Sequence, residues 1–345
     1  MPPKAIDLFA GAGGLSQGLH LAGWDVVTAV ERDPSAARTY LANFPGTQLL
    51  SDVRDVDFRI FSGVELLAGG PPCQPFSVAG KQLASADPRD MVPQFLRAVN
   101  EAKPRAFLME NVPGLLTKKH YSYTKRAIAQ FEQLGYKVYV QKLNAAWYGV
   151  PQNRQRLFFV GVPAEVPFVF PKPTHGPGTA HPYATAGHAL RHAPACEPNK
   201  AIVTYAKKPI LRPSPWAGML VNGQGRPINL NEPSHTIPAS AGGNRTHIVD
   251  VDRVLLAYHT YLMGGGTPKS GIVEGVRRLT LCESAALQSF PANYIFLGEK
   301  TRRFSQVGNA VPPLLALAVG KALFEAIYLP GQGVAEEDTS ECVVS

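Results

Sequence analysis

Ala5-Ile6-Asp7-Leu8-Phe9-Ala10-Gly11-Ala12-Gly13-Gly14 sets the fold class of this chain. The mostly apolar run 5–10 reads as a buried strand, the glycines as a tight turn, and 15–22 as a helix. Glycines at such a turn let the backbone approach a ligand closely at a helix N-terminus. The strict dinucleotide pattern wants a further glycine where Ser16 stands, so this is a variant turn. Short apolar runs recur at 26–30, 64–68, 106–109 and 157–162. Strands alternating with helical patterns predict an α/β fold with a doubly wound, mostly parallel, Rossmann-like sheet.

Chemistry in such sheets collects at strand ends. The run 64–68 is followed by Gly69-Gly70-Pro71-Pro72-Cys73-Gln74-Pro75-Phe76-Ser77. Two prolines hold Cys73 in a rigid, non-helical loop, where a thiol is placed to react rather than to pack. Glu31 ends the second strand 20 residues after Gly11, the spacing at which a carboxylate accepts from ribose hydroxyls. Alone it would pass for a turn carboxylate. Asp52 follows Leu49-Leu50, within reach of an adenine amino group. Together the turn, Glu31 and Asp52 predict an adenosine-bearing cofactor. Glu110 follows the apolar run 106–109, and burial there raises a carboxyl pKa, which suits a proton donor. Gln152-Asn153-Arg154-Gln155-Arg156 leads into the run 157–162. Alternate arginines share one face and suit a phosphate or a base carbonyl, or else a surface salt-bridge pair.

The chain has 345 residues, 45% hydrophobic, enough for one large domain or two. Net charge is +8, which favours a polyanionic partner such as nucleic acid. Cys73, Cys196, Cys282 and Cys342 form no close pair and no metal-ligand spacing, so a reduced, cytoplasmic protein without a bound metal is expected. No apolar run approaches the roughly 20 residues that span a membrane. Between Pro163 and Pro238 lie 14 of the 31 prolines, and helical periodicity fades, marking a separate irregular domain. Thr280-Leu281-Cys282-Glu283 has capping-box spacing, and Pro312-Pro313 opens a helix to about Tyr328. The acidic end, 331–345, is expected to be disordered.

In this order, the blocks at 7–14, 69–77, 110–114, 152–161, 279–291 and 306–313 resemble those of the bacterial-type DNA (cytosine-5)-methyltransferases. Pro-Cys-Gln, Glu-Asn-Val and Gln-x-Arg-x-Arg in succession make a highly specific signal. The resemblance implies the S-adenosylmethionine-dependent methyltransferase fold, with 1–172 plus 300–330 as catalytic domain and 173–299 as a smaller target recognition domain. It implies that Cys73 adds to carbon 6 of a cytosine, that Glu110 protonates the neighbouring ring nitrogen, and that Arg156, aided by Arg154, holds the base carbonyl. Phe9, Gly11, Ala12, Gly13, Gly14, Leu15, Glu31, Asp52, Val53, Pro72, Asn309 and Val311 match cofactor contacts of the family. Gln74, Ser77, Arg89, Thr236, Asn244 and Arg245 are the implied DNA contacts, Arg89 in a closing loop where Asp90 replaces the usual glycine. Thr236-Ile237, read as a β-branched pair on a strand before the Gly242-Gly243 turn, would brace the flipped nucleotide. The implied partner is double-stranded DNA, met by a monomer, with a cognate restriction endonuclease acting on the same site. A tRNA methyltransferase on the same scaffold and a catalytically silent DNA-binding homologue are the rival readings. Retention of Cys73, Glu110, Arg154 and Arg156 together argues against the second.

Overall fold

A computed structural model describes residues 1–72, 90–223, 225–240 and 242–329. The first half runs Lys4–Leu8 (β1), Gly14–Leu21 (α1), Asp25–Val30 (β2), Pro34–Asn43 (α2), Gln48–Leu50 (β3), Leu66–Gly69 (β4) and Val92–Ala102 (α3). It continues through Ala106–Asn111 (β5), Tyr121–Gln133 (α4), Tyr136–Asn144 (β6) and Gln155–Pro163 (β7). These seven strands form one sheet in the order β3-β2-β1-β4-β5-β7-β6. The β1–β2, β1–β4, β2–β3 and β4–β5 pairs are parallel, while β7 runs antiparallel to both β5 and β6. The strand at 157–162 is therefore the one reversed member of an otherwise parallel sheet.

Both faces of the sheet are covered, which is why its strands read as near-continuous apolar runs. Leu66, Ala68, Leu108, Phe158 and Val160 point to one face, with Leu15, Leu19 and Trp24. Ile6, Leu8, Leu67, Phe107, Leu157 and Phe159 point to the other, against Phe95, Val99 and Phe131. The period-2 alternation at Leu66, Leu67 and Ala68 and again at Leu157, Phe158 and Phe159 assigns the faces. At the β5–β7 pairing Gly161 is required by space, because a Cβ there would lie 1.9 Å from the Phe107 ring.

The second half runs Ala186–His192 (α5), Tyr205–Ile210 (β8), Met219–Val221 (β9), Ile248–Val249 (β10), Val254–Met263 (α6), Arg277–Arg278 (β11) and Leu281–Leu287 (α7). Its strands pair two by two, and its apolar groups gather in small clusters. Buried polar groups tie the loops that these clusters leave uncovered. Arg278 is 1% exposed, and its guanidinium donates to the carbonyls of Thr246 (3.0 Å) and Asn222 (2.8 Å) and to Asn222 Oδ1 (2.9 Å). The capping box expected at Thr280 and Glu283 opens α7. The cysteines depart from expectation: Cys196 and Cys282 are joined as a disulfide, their Cα atoms 5.9 Å apart. A separation of 86 residues gave no local sign of that pairing.

The chain ends in Lys300–Asn309 (α8) and Pro313–Tyr328 (α9). α8 faces α7, with Phe304 and Val307 against Leu281, Ala285 and Phe290. By length and composition Lys300–Tyr328 is apolar enough to cross a membrane, contrary to the reading of the sequence. Here α9 is a core helix, with Leu315, Ala316, Val319 and Leu323 all buried within the sheet's first layer. Its close approach to α1 is fixed at Gly18, where a Cβ would lie 2.4 Å from that of Ala316. Trp24 Nε1 donates to the Gly320 carbonyl at 2.9 Å and pins the far end. The tail 331–345 lies outside the described residues.

Candidate active site

The glycine turn between β1 and α1 is built on left-handed backbone. Phe9, Gly11 and Gly13 have φ values of 58°, 57° and 87°. Among the described residues a Cβ at Gly11 would meet no atom within 4 Å, which leaves room there for a ligand. At Gly13 a Cβ would press on Phe44 at 2.5 Å, and at Gly14 on the Val311 carbonyl at 2.3 Å. The 308–311 turn thus lies directly behind the glycines. Leu15 and Val311 place their side chains in the core, so what they offer a ligand is backbone. Asn309 is exposed at the end of α8.

Ser16, the departure from the dinucleotide pattern, has a structural use. Its hydroxyl donates to Asp7 Oδ2 at 2.6 Å and contacts the Tyr40 hydroxyl at 2.8 Å. Asp7 is fully buried, and its Oδ1 has no hydrogen-bond partner among the described residues. Burial, reinforced by the charge of Glu31, outweighs the Ser16 bond and pushes the Asp7 carboxyl up to about 7. Between pH 4 and 7 the folded chain therefore holds a proton that the unfolded chain has released. Stability contributed at this site falls as pH rises through that window, by an amount on the order of 4 kcal/mol. Asp7→Asn is expected to flatten that part of the profile in urea titrations from pH 4 to 8. An unchanged slope would show Asp7 to be ionised throughout.

Glu31 leaves β2 with both carboxylate oxygens engaged by backbone. Gly11 N donates to Oε2 at 2.8 Å and Asp33 N to Oε1 at 2.6 Å. Burial raises its pKa, and those two amide donors oppose the rise. Each oxygen keeps a second lone pair for a hydroxyl. Asp52 follows β3 and has guanidinium groups beside it. Its carboxylate is bonded by Arg54 through Nε (3.0 Å), Nη2 and the backbone N–H, with Arg32 3.7 Å away. The Arg54 bonds hold the Asp52 carboxyl well below the usual range, so an incoming amino group would have to share it with a guanidinium. Val53, next to it, is buried in a short 3-10 turn.

The second half of the site forms where β4 and β5 end and antiparallel β7 begins. Glu110 closes β5 opposite Phe158 of antiparallel β7, which carries Arg156 alongside it. Arg156 Nε meets Glu110 Oε1 at 2.6 Å, with both side chains nearly buried. Burial pushes the Glu110 pKa up, and Arg156 pulls it partly back. Asn111 Nδ2 donates to the Pro71 carbonyl at 3.1 Å, and the Pro72 carbonyl accepts from Met91 N at 3.1 Å. A Cβ at Gly70 would lie 3.1 Å from Glu110 Oε2. The Pro71-Pro72 step is thereby fixed beside the carboxyl. Cys73, Gln74, Ser77 and Arg89 lie outside the described residues. Asp90 is described: it accepts from Val92 N and from the Tyr123 hydroxyl.

Arg154 lies near enough to act on Glu110 through its charge, but its hydrogen bonds go elsewhere. Its Nη1 donates to Ile237 O at 3.0 Å, and its Nη2 to Gly308 O at 2.6 Å and Ala310 O at 3.1 Å. The expectation that it helps hold a base carbonyl is corrected accordingly, since backbone carbonyls take those donors. Thr236 is exposed but not in a strand. Segment 234–237 crosses 151–153 through Ser234 N to Pro151 O, Asn153 N to Ser234 O, and Thr236 Oγ1 to Asn153 O. His247 holds the Thr236 carbonyl from behind at 3.1 Å, and burial pushes its imidazole down to about 4, so it stays neutral. Asn244 and Arg245 are exposed on the turn Gly243–Arg245.

Sequence reasoning missed Tyr294, whose hydroxyl donates to the Ala12 carbonyl and whose ring lies against Phe44 and Phe290. Its segment is sewn to α2 by Asn43 and Thr39, through bonds to Ile295 and Leu297. Gln152, the first residue of the Gln-x-Arg-x-Arg block, has a bracing part that the sequence did not show: its amide accepts from Ile237 N and donates to Leu287 O. No local pattern marks Tyr294 or the partners of Gln152, because each acts on a segment far away in sequence.

Residues 3–325 match the family model of the C-5 cytosine-specific DNA methylases. The chain belongs to that family. It is 36% identical over 340 residues to the type II methyltransferase M1.HphI of Haemophilus parahaemolyticus, covering 93% of this chain and 86% of that one. It is 34% identical to M.NgoMIV of Neisseria gonorrhoeae, covering 94% and 97%. In fold it is similar to a DNA modification methyltransferase encoded within an Escherichia coli prophage, with a TM-score of 0.67, 23% identity, and 94% and 99% of the two chains covered. It is likewise similar to a Spodoptera frugiperda DNMT2 variant, with a TM-score of 0.68, 18% identity, and 94% and 100% covered. The seven-stranded sheet is that of the Rossmann-like methyltransferases.

Proposed function

We propose that this chain methylates carbon 5 of a flipped-out cytosine in a specific duplex DNA sequence, using S-adenosylmethionine and a covalent bond from Cys73. The observation that supports it most is the buried Glu110–Arg156 pair, set beside Pro71-Pro72, the two residues that precede Cys73 in the sequence. A target base must leave the duplex stack for side chains at such depth to reach it. Arg156 holds the base carbonyl. Glu110, its pKa raised by burial, protonates the adjacent ring nitrogen. Electron withdrawal there lets the Cys73 thiolate add to carbon 6, and carbon 5 becomes electron-rich. Bound S-adenosylmethionine supplies an electrophilic methyl group for that carbon. Loss of the carbon 5 proton to a base, return of the ring-nitrogen proton to Glu110 and departure of the thiolate restore the aromatic ring and free the enzyme.

The residues of the turn suit the cofactor. Gly11 opens toward a ligand, Gly13 and Gly14 leave no side chain in the way, and Glu31 keeps lone pairs for two hydroxyls. Glu31→Ala is expected to weaken S-adenosylmethionine binding by about 1.5–3 kcal/mol, roughly 10- to 150-fold, with DNA binding little changed. Calorimetry giving an unchanged cofactor affinity would remove Glu31 from the site.

In this reading residues 1–172 and 300–330 bind the cofactor and catalyse, and 173–299 read the sequence, with Thr236 against the flipped nucleotide and Asn244 and Arg245 toward base edges. The enzyme acts as a monomer in the cytoplasm, alongside a restriction endonuclease for the same site. Bisulfite sequencing of DNA from an expressing host tests the reading, with that host's tRNA as the second arm. Protected cytosines in one short DNA motif are expected. Protection in tRNA alone would place the enzyme among RNA methyltransferases.

A further inference from the structure

Arg154 is only 1% exposed, and three backbone carbonyls from two distant segments occupy its guanidinium. Its Nε is buried, with no hydrogen-bond partner among the described residues. The carbonyls come from two places that the reading above puts to different uses. Ile237 adjoins Thr236 in the recognition segment. Gly308 and Ala310 belong to the turn whose next residue, Val311, packs its carbonyl on Gly14 of the cofactor turn. These two segments also touch each other, since a Cβ at Gly308 would lie 2.3 Å from the Pro238 carbonyl. Arg154 sits two residues from Arg156 on the same strand lead-in, so all three parts are referenced to the Glu110–Arg156 pair.

We propose that Arg154 is a positioning residue that holds the Thr236-Ile237 segment and the 308–311 turn at fixed distance from the catalytic pair while touching neither DNA nor cofactor. The proposal rests on the functional reading above. A guanidinium suits the task because its planar fork presents several donors in set directions. The carbonyls at the end of α8 carry the negative end of the helix dipole, which a cation at that position satisfies. Lysine brings the charge but one compact tip, and it cannot span the same carbonyls. A neutral aliphatic chain leaves them buried and unpaired.

The test uses full-length Arg154→Lys and Arg154→Met beside Arg156→Lys, with unmethylated phage DNA and tritiated S-adenosylmethionine. Both KM values, for DNA and for cofactor, are expected to rise about tenfold in Arg154→Met and about threefold in Arg154→Lys, with kcat at saturation held within about fivefold. Arg156→Lys is expected to lose about 100-fold in kcat with KM values little moved. Calorimetric affinity for S-adenosylhomocysteine should fall in parallel with cofactor KM in the Arg154 variants. A loss of kcat alone, matching Arg156→Lys, would put Arg154 on the base and overturn the proposal. Lowered thermal stability with both KM values unchanged would reduce it to a packing residue, which also overturns it. If Arg154→Met does not fold, Arg154→Lys and the calorimetry decide. If the wild type labels no DNA, the functional reading fails, while the S-adenosylhomocysteine affinity of the variants still tests whether Arg154 holds the cofactor turn.

Discussion

Cys73→Ser is expected to abolish methyl transfer, by at least about 10³-fold in kcat, while leaving DNA and cofactor binding intact. The step at stake is formation of a bond to carbon 6, for which the thiolate is the competent nucleophile. An unperturbed cysteine near pKa 8.5 supplies a few per cent of thiolate at neutral pH, and a serine hydroxyl supplies essentially none. The substitution changes one atom, so folding and ground-state binding have little reason to alter. Filter binding and calorimetry on the variant check the second half of the statement. A serine variant with a tenth of wild-type turnover would mean that Cys73 is not the nucleophile.

Glu110→Gln is expected to lower kcat by about 10²–10⁴-fold. Glutamine keeps the shape and can still accept from Arg156, but it has no proton to deliver. The pH profile carries a second signature. Burial holds the Glu110 carboxyl above its ordinary range, so its acid form persists to higher pH than an exposed glutamate would allow. Wild-type kcat should fall as pH rises through that raised value, and the fall should be missing in Glu110→Gln. Removing the partner is a separate experiment, because Arg156→Met leaves a buried carboxylate uncompensated, at a cost of about 3–5 kcal/mol in folding stability. A Glu110→Gln enzyme with the wild-type rate and the wild-type profile would contradict a proton-donor role.

Much of this was legible because it is local. The β1 run and glycine turn, the Pro-Pro step before Cys73, and the Thr280–Glu283 capping box each lie within a window of a dozen residues. The carboxyl after an apolar strand was legible for the same reason: burial of 106–109 carries Glu110 with it. The misses involve partners that sequence spacing conceals. Arg154 bonds residues 83 and 154 positions further on, and Tyr294 reaches back 282 residues to Ala12. The Cys196–Cys282 pairing has the same cause. β6 escaped notice because it is an edge strand rich in polar residues, with Lys137, Gln141 and Lys142 exposed. Ser16 shows that a broken motif can be informative, since the hydroxyl that spoils the glycine pattern anchors buried Asp7.

Covalent methyl transfer through Cys73 is tested most directly with a duplex carrying 5-fluorocytosine at the methylated position. Fluorine leaves no proton to remove after methylation, so the enzyme should remain bonded to the DNA through a denaturing gel. The adduct should need S-adenosylmethionine, should map by peptide mass spectrometry to Cys73, and should vanish in Cys73→Ser. An adduct on Cys196, Cys282 or Cys342, or methylation of ordinary DNA with no trapping on the fluorinated duplex, would contradict the account.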